Sequence, residues 1–350
     1  MFETIPTPAV LVDLDVAQAN IEKFQRHADA AGLKLRPHIK THKLPLVAKR
    51  QMAAGAVGIT CQKISEARAM ISQGGIDDVL LTFNIVGADK VAALKDLSGE
   101  VGLTVVADSF DVVDGLAKVF DDPAAPLSVM VECDTGAERC GVVTPEQAVA
   151  VASRIDAADG LRFAGLMTYP PVGRRRAVAE WLTTAARACE AAGLQVPLIS
   201  TGGSPDMWDA EPLDWPTEYR IGTYIYNDRS LVQRGVCDWT DCALTVLATV
   251  VSVPTPDRAI IDAGSKVLTS DLLGLAGHGH VLGRPDITIA ALSEEHGTLK
   301  AGDIDLKVGD RLRIVPNHAC VVANMLDHVQ LLEGGAPHKA MAVTARGLVW

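Results

Sequence analysis

Arg36-Pro-His-Ile-Lys-Thr-His-Lys43 closes the first strongly apolar βα unit of the chain. Its reading decides the fold, because it marks where a strand Leu35–Lys40 ends and the turn to a helix begins. Lys40 then lies at the strand tip. An amine on a rigid strand end, beside the cations Arg36 and Lys43, is expected to have a lowered pKa and to attack an aldehyde. A basic turn that is merely solvated carries the same residues, so the choice rests on the remainder of the chain.

Outward from this segment the pattern recurs. Strands are predicted at Gly58–Gln62, Asp78–Phe83, Leu103–Asp108, Ser128–Asp134, Arg162–Tyr169, Pro197–Thr201 and Tyr219–Tyr226. Stretches such as Ser65–Gln73, Pro145–Ala157 and Ala177–Ala192 between them have the three-to-four-residue apolar period of helices packed on a sheet. Eight such alternations predict an α/β fold with a closed (β/α)8 TIM barrel over residues 15–235. No GxGxxG element follows the first strand, which speaks against an open doubly wound sheet. From residue 236 the helical period gives way to alternating runs at Ala243–Val253, Ala259–Asp262, Asp286–Glu294 and Asp310–Val315. These predict an antiparallel β domain over 236–350, joined by an opening strand Ala9–Leu14 from residues 1–14.

Composition sets limits on function. Hydrophobic residues at 48% and charged residues at 21% describe a soluble globule, and aromatics at 4% require an aliphatic core. A net charge of −11 argues against nucleic acid or an anionic membrane surface as partner, though not against a small anion held by local cations. The seven cysteines are spread out with no CxxC pair, so neither a disulfide framework nor a zinc knuckle is expected. The first residues lack signal-peptide character and no segment has the apolar length of a membrane span. A cytoplasmic location is expected.

Chemistry in a barrel belongs at the C-terminal ends of its strands. There the chain carries Lys40, Gln62-Lys63, Asn84, Arg139, Tyr169 and Arg220. Strand seven runs into Ser200-Thr201-Gly202-Gly203-Ser204, where paired glycines let backbone N–H groups approach an anion and hydroxyls add donors. Gly222-Thr223 supplies a second wall. With Lys40, this spacing fits a phosphate-bearing aldehyde cofactor, pyridoxal 5′-phosphate (PLP).

Thr7-Pro-Ala-Val-Leu-Val-Asp13, Arg36–Lys43, Cys61-Gln-Lys-Ile-Ser-Glu66, Asp134-Thr-Gly-Ala-Glu-Arg-Cys-Gly141 and Pro316-Asn-His-Ala-Cys320 occur in this order through nearly the whole chain. In them the sequence resembles the fold-type III PLP enzymes, which share the alanine racemase barrel, and within these the branch of D-threonine aldolase and D-serine dehydratase. The resemblance implies Lys40 as the lysine bonded to the cofactor and Arg139 as the cation against its phenolic oxygen. It places Ser200, Thr201, Gly202, Gly203, Gly222 and Thr223 around the phosphate, with Tyr169 as a catalytic neighbour and Arg220 facing the pyridine nitrogen.

Within the resemblance, His318 and Cys320 become ligands of a divalent metal (zinc, manganese or magnesium). Two residues apart on a strand, they would project from one face. The thiolate favours zinc, and Cys320 is the variant associated with D-serine dehydratase. The resemblance thus implies a PLP- and metal-dependent lyase of D-3-hydroxy amino acids, of the aldolase type and homodimeric. A D-serine or D-3-hydroxyaspartate dehydratase and a non-catalytic PLP carrier stay open as alternatives.

Overall fold

The computed structural model describes residues 2–350, which form two compact units. The chain opens with β1 (Ala9–Asp13). One unit comprises residues 24–40, 44–222 and 348–350. It holds β2 (Lys34–Leu35), β3 (Ile59–Cys61), β4 (Asp78–Leu81), β5 (Gly102–Ala107), β6 (Leu127–Cys133), β7 (Leu161–Thr168), β8 (Ile199–Thr201) and β9 (Thr217–Tyr219). All eight pair in parallel, in the order β2-β9-β8-β7-β6-β5-β4-β3. The two ends of that order meet at a bridge between His38 and Thr60, whose N–H donates to the Pro37 carbonyl at 2.7 Å. The sheet therefore closes, as the eight-fold alternation predicts.

Local chemistry shapes the units of the repeat. The helix Pro145–Asp156 starts at a capping box in which Thr144 and Gln147 satisfy each other's backbone N–H, with Pro145 in the first turn. Ala148, Val151, Ala152 and Ile155 then share its buried face. Leu80, Val106, Met130 and Met167, from four successive strands, form one apolar layer. Beside it, Arg36 is bound by two carboxylates. Its Nε and Nη2 donate to Glu218 at 2.9–3.0 Å, and its Nη1 donates to Asp78 at 2.6 Å.

Two predicted strands end early. Leu35–Lys40 stops being regular strand after Leu35, because Pro37 has no N–H to offer the ladder. His38 still pairs, donating to the Ile221 carbonyl at 2.7 Å, and a 3-10 turn Ile39–Thr41 follows. Lys40 is exposed on that turn and not at a strand tip. Tyr219–Tyr226 leaves the sheet after Tyr219 and becomes the 3-10 turn Thr223–Ile225. Nor is Arg36 the free cation expected beside Lys40, since Glu218 and Asp78 hold it.

The other unit comprises residues up to Lys23, 41–43 and 223–347. Its strands are β1, β10 (Leu244–Thr255), β11 (Arg258–Ile261), β12 (His280–Val281), β13 (Thr288–Leu292), β14 (Gly297–Lys300), β15 (Arg311–Val315), β16 (His328–Glu333) and β17 (Ala336–Ala342). They run β13-β14-β11-β10-β1-β16-β17, with β15 pairing β10 and β12. The opening strand thus joins this sheet, antiparallel to β10 but parallel to β16. Ile5, Ala9, Leu11, Leu247 and Leu332 pack into its core. His318-Ala-Cys320 does not lie on a strand. β15 ends at Val315, Pro316 breaks the ladder, and His318 precedes the short helix Ala319–Ala323.

Arg36→Met should destabilise the protein by about 3–5 kcal/mol, because it leaves Glu218 buried without its cation. A denaturant midpoint unchanged from wild type would show that the pair does not hold the barrel.

Candidate active site

At the strand ends of the barrel unit, a chain of side chains fixes the turn that carries Lys40. The Lys40 N–H donates to His38 Nδ1 at 3.3 Å, so Nδ1 accepts and His38 Nε2–H is left to donate to Gln62 Oε1 at 3.1 Å. Gln62 Nε2 donates to the Thr82 carbonyl at 2.8 Å. Residues from three adjacent strand ends thereby lock one another. Lys63 extends over the Phe83 ring, 3.3 Å from its centre, and burial together with Lys90 lowers its pKa. It is a second amine at the same end, one that the sequence reading placed after the second strand without a role.

After β6 the loop is bound tightly. Asp134 Oδ1 accepts from the N–H groups of Gly136, Ala137 and Glu138 at 2.8–3.1 Å, and Gly141 N–H donates to Asp108 at 3.1 Å. This presents the half-exposed Arg139, whose guanidinium lies 4.7 Å from the Tyr169 ring centre and 4.0 Å from Glu132. Glu132 is buried on the face of β6 shared with Ser128 and Met130. Burial, opposed by Arg139, raises its carboxyl to about 7. Nothing in the sequence marked Glu132 except its place before the Asp134 motif.

Arg220 is buried after β9. It donates from Nη2 to the Thr168 carbonyl, while its Nε has no partner among the described residues. Burial lowers its pKa to about 10, with Glu218 and Glu132 opposing, so it remains a cation at neutral pH. Gly202 has φ of +129°, and a Cβ there would lie 2.5–2.6 Å from the Arg220 carbonyl oxygen and nitrogen. Among the described residues, the N–H groups of Gly202 and Gly203 donate to no protein acceptor. Two such backbone amides at a glycine turn suit a phosphate ester. Ser200 is drawn elsewhere, since its buried hydroxyl donates to Glu218 at 3.5 Å. Thr201 is half-buried, its carbonyl accepting from Arg220 N–H at 2.7 Å. Thr223, next to Gly222 in the chain, turns its hydroxyl to Cys320 Sγ at 3.5 Å.

The second unit brings His318 and Cys320 together without a strand, at the first turn of Ala319–Ala323. Asp228 accepts from the Ala319 N–H at 3.0 Å and fixes that turn. His318 Nδ1 meets Asp271 Oδ2 at 2.6 Å, which leaves the other ring nitrogen toward Cys320. Burial disfavours the imidazolium, yet the Cys320 and Asp271 charges raise its pKa to about 9. Cys320 Sγ also lies 3.0 Å from the Thr41 hydroxyl. Among the described residues no three His, Cys, Asp or Glu side chains converge as a complete metal site. Two donors backed by a carboxylate on the imidazole form a partial one. Asp271, 47 residues before His318, could not be singled out from spacing.

A sequence profile described as the alanine racemase N-terminal domain matches residues 12–230, and one for a serine dehydratase domain matches 243–332. The chain belongs to the alanine racemase N-terminal domain family. The D-threonine aldolase of an Arthrobacter species is 32% identical to this family member over 361 residues, covering 98% of this chain and 93% of that protein. The crystal structure of D-threonine aldolase from Filomicrobium marinum superposes with a TM-score of 0.90 at 32% identity, covering 99% of this chain and 98% of that one. D-threo-3-hydroxyaspartate dehydratase of Delftia sp. strain HT23 is 33% identical over 361 residues, 94% of each chain. Solved structures of a dehydratase of that name include a variant with a histidine replaced by alanine. Another replaces the cysteine two residues further on and is described as metal-free. His318 and Cys320 have the same spacing.

Gly202→Ala should lose about 1–3 kcal/mol of stability, because its φ is strained for alanine and the Arg220 backbone must move. Gly203→Ala, with extended backbone and nothing closer than 3.8 Å to the added carbon, should stay within about 0.5 kcal/mol. Equal denaturation midpoints for the two variants would contradict this assignment of space.

Proposed function

We propose that this protein is a PLP- and divalent-metal-dependent lyase acting on D-3-hydroxy amino acids, of the D-threonine aldolase type. The observation that carries the reading is the His318–Cys320 pair, oriented by Asp271, in a chain that also presents Lys40 and the Gly202-Gly203 amides. A racemase or a PLP carrier has no use for such a pair. The similarity to D-threonine aldolases over nearly the full chain supports the same reading.

Lys40 would hold the cofactor's aldehyde carbon, the Gly202-Gly203 amides its phosphate, and Arg139 its phenolic oxygen. When bound, PLP supplies an electron-accepting ring conjugated to the substrate amine. Arg220 keeps a fixed positive charge that neither accepts nor releases a proton near neutral pH. Facing the ring nitrogen, it would disfavour protonation there. A divalent cation held by His318 and Cys320 would supply Lewis acidity for the substrate's β-hydroxyl. Tyr169 flanks Arg139 with its ring and limits where that guanidinium can turn. In a retro-aldol cleavage the β-hydroxyl loses its proton and the Cα–Cβ bond breaks, giving glycine and an aldehyde. In a dehydratase, Lys40 Nζ would instead take the Cα proton while hydroxide leaves.

The dehydratase reading has specific support in Cys320 and in the match of residues 243–332 to a serine dehydratase domain. A homodimer in the cytoplasm completes the proposal. Among the described residues no helix is long and apolar enough to cross a membrane.

Incubation with D-threonine should yield glycine and acetaldehyde, and a chelator should abolish turnover while the visible PLP band persists. D-Serine giving pyruvate and ammonia faster than D-threonine gives glycine would decide for the dehydratase. Borohydride should fix the cofactor on Lys40. Peptide mapping that finds it on Lys63 would overturn the lysine assignment.

A further inference from the structure

Glu132 is the one carboxyl of the barrel's catalytic end that, among the described residues, is buried without a close hydrogen-bonded partner. Its side chain is 4% exposed, and the nearest cation, Arg139, stands 4.0 Å away. Asp108, also at this end, spends an oxygen on the Gly141 N–H, and Asp134 spends one on three amides. Glu218 has Arg36 at 2.9 Å. A buried carboxylate lacking such contacts is unstable as an anion and holds its proton until well above the usual carboxylate range.

We propose that Glu132, buried 4.0 Å from Arg139, is a positioning residue that governs the charge Arg139 can offer a bound anionic cofactor, by gaining or losing one proton. This rests on the reading above that PLP sits against Arg139. The groups facing Glu132 set the direction. From just after β5 comes Asp108, from the loop after β6 come Asp134 and Arg139, and from beyond β9 comes Arg220. The arginines favour its anion, whereas burial and the two aspartates oppose it, leaving the carboxyl at about 7. Below that pH Glu132 is neutral, and the Arg139 guanidinium is free to pair with an oxygen of the ligand. Above it, the Glu132 carboxylate competes for Arg139 and adds a negative charge beside an already anionic cofactor. Cys140 sits in the same field, and its thiol is raised by burial and by Glu132, so it is a poor alternative proton carrier.

Two measurements on the full-length protein test this. In the cofactor-free protein, an infrared pH titration of wild type against Glu132→Gln should show a protonated carboxyl band, absent from the variant, that disappears as pH rises through about 7. Arg139→Gln should move that step to higher pH, since it removes the main stabiliser of the anion. A PLP titration should then show the wild type weakening severalfold relative to Glu132→Gln between about pH 6 and pH 8. A carboxyl band that is already lost by about pH 5 overturns the proposal, as does a wild-type-to-variant affinity ratio that stays constant with pH. If wild type takes up no PLP at either pH, the functional reading fails and this role with it. That outcome is recognisable because the infrared step, which needs no cofactor, is unaffected.

Discussion

Arg36 leaves the first barrel strand and meets carboxylates from the last strand and from β4, so one guanidinium spans the seam at which the sheet closes. Isolating such an ion from water is unfavourable by several kcal/mol, and only close pairing offsets it. The offset succeeds here, because Glu218 and Asp78 raise the arginine's pKa despite its burial. The arrangement constrains its neighbours. A side chain at Gly58 would collide with the Arg36 guanidinium, so the strand leading to β3 needs a glycine where the arginine passes. Ser200 turns its hydroxyl to Glu218, away from the Gly202-Gly203 amides that follow it.

From this pair the charges continue toward the catalytic end. Glu218 and Glu132 both act on Arg220, and Arg139 in turn acts on Glu132. Three arginines are thus interleaved with Asp78, Glu218 and Glu132. Asp108 and Asp134 also face Glu132, so its protonation removes one of several negative charges around Arg139.

The repeat of apolar strand and amphipathic helix was legible because burial on both faces of a parallel sheet imposes it on every unit. Strand ends were less legible. β2 has two residues and β9 has three, so their limits depend on Pro37, Gly222 and ladder partners far away in the chain. The same cause misplaced His318 and Cys320 on a strand: Pro316 stops the ladder, and Asp228, about ninety residues earlier, pins the helix start instead. The pair converged even so, because the i and i+2 side chains of a helix's first turn can meet when the earlier residue is still extended, as His318 is. Glu132 and Asp271 were illegible for a different reason. A carboxylate's role is set by what surrounds it, and here the surroundings come from other strands and loops.

Cys320 illustrates how surroundings restrict a thiol. The Thr41 hydroxyl lies 3.0 Å from its sulfur and that of Thr223 3.5 Å, while His318 stands two residues before it in the chain. Asp271 holds the imidazole by Nδ1, so the remaining nitrogen is the one available as a ligand. In the proposed reading, a cation held by this pair would draw the rest of its coordination shell from water or substrate. Such an open shell would serve proton loss from a bound hydroxyl as well as its departure. Aldolase and dehydratase chemistry therefore diverge at the proton on Cα and at the base that reaches it, not at the metal pair.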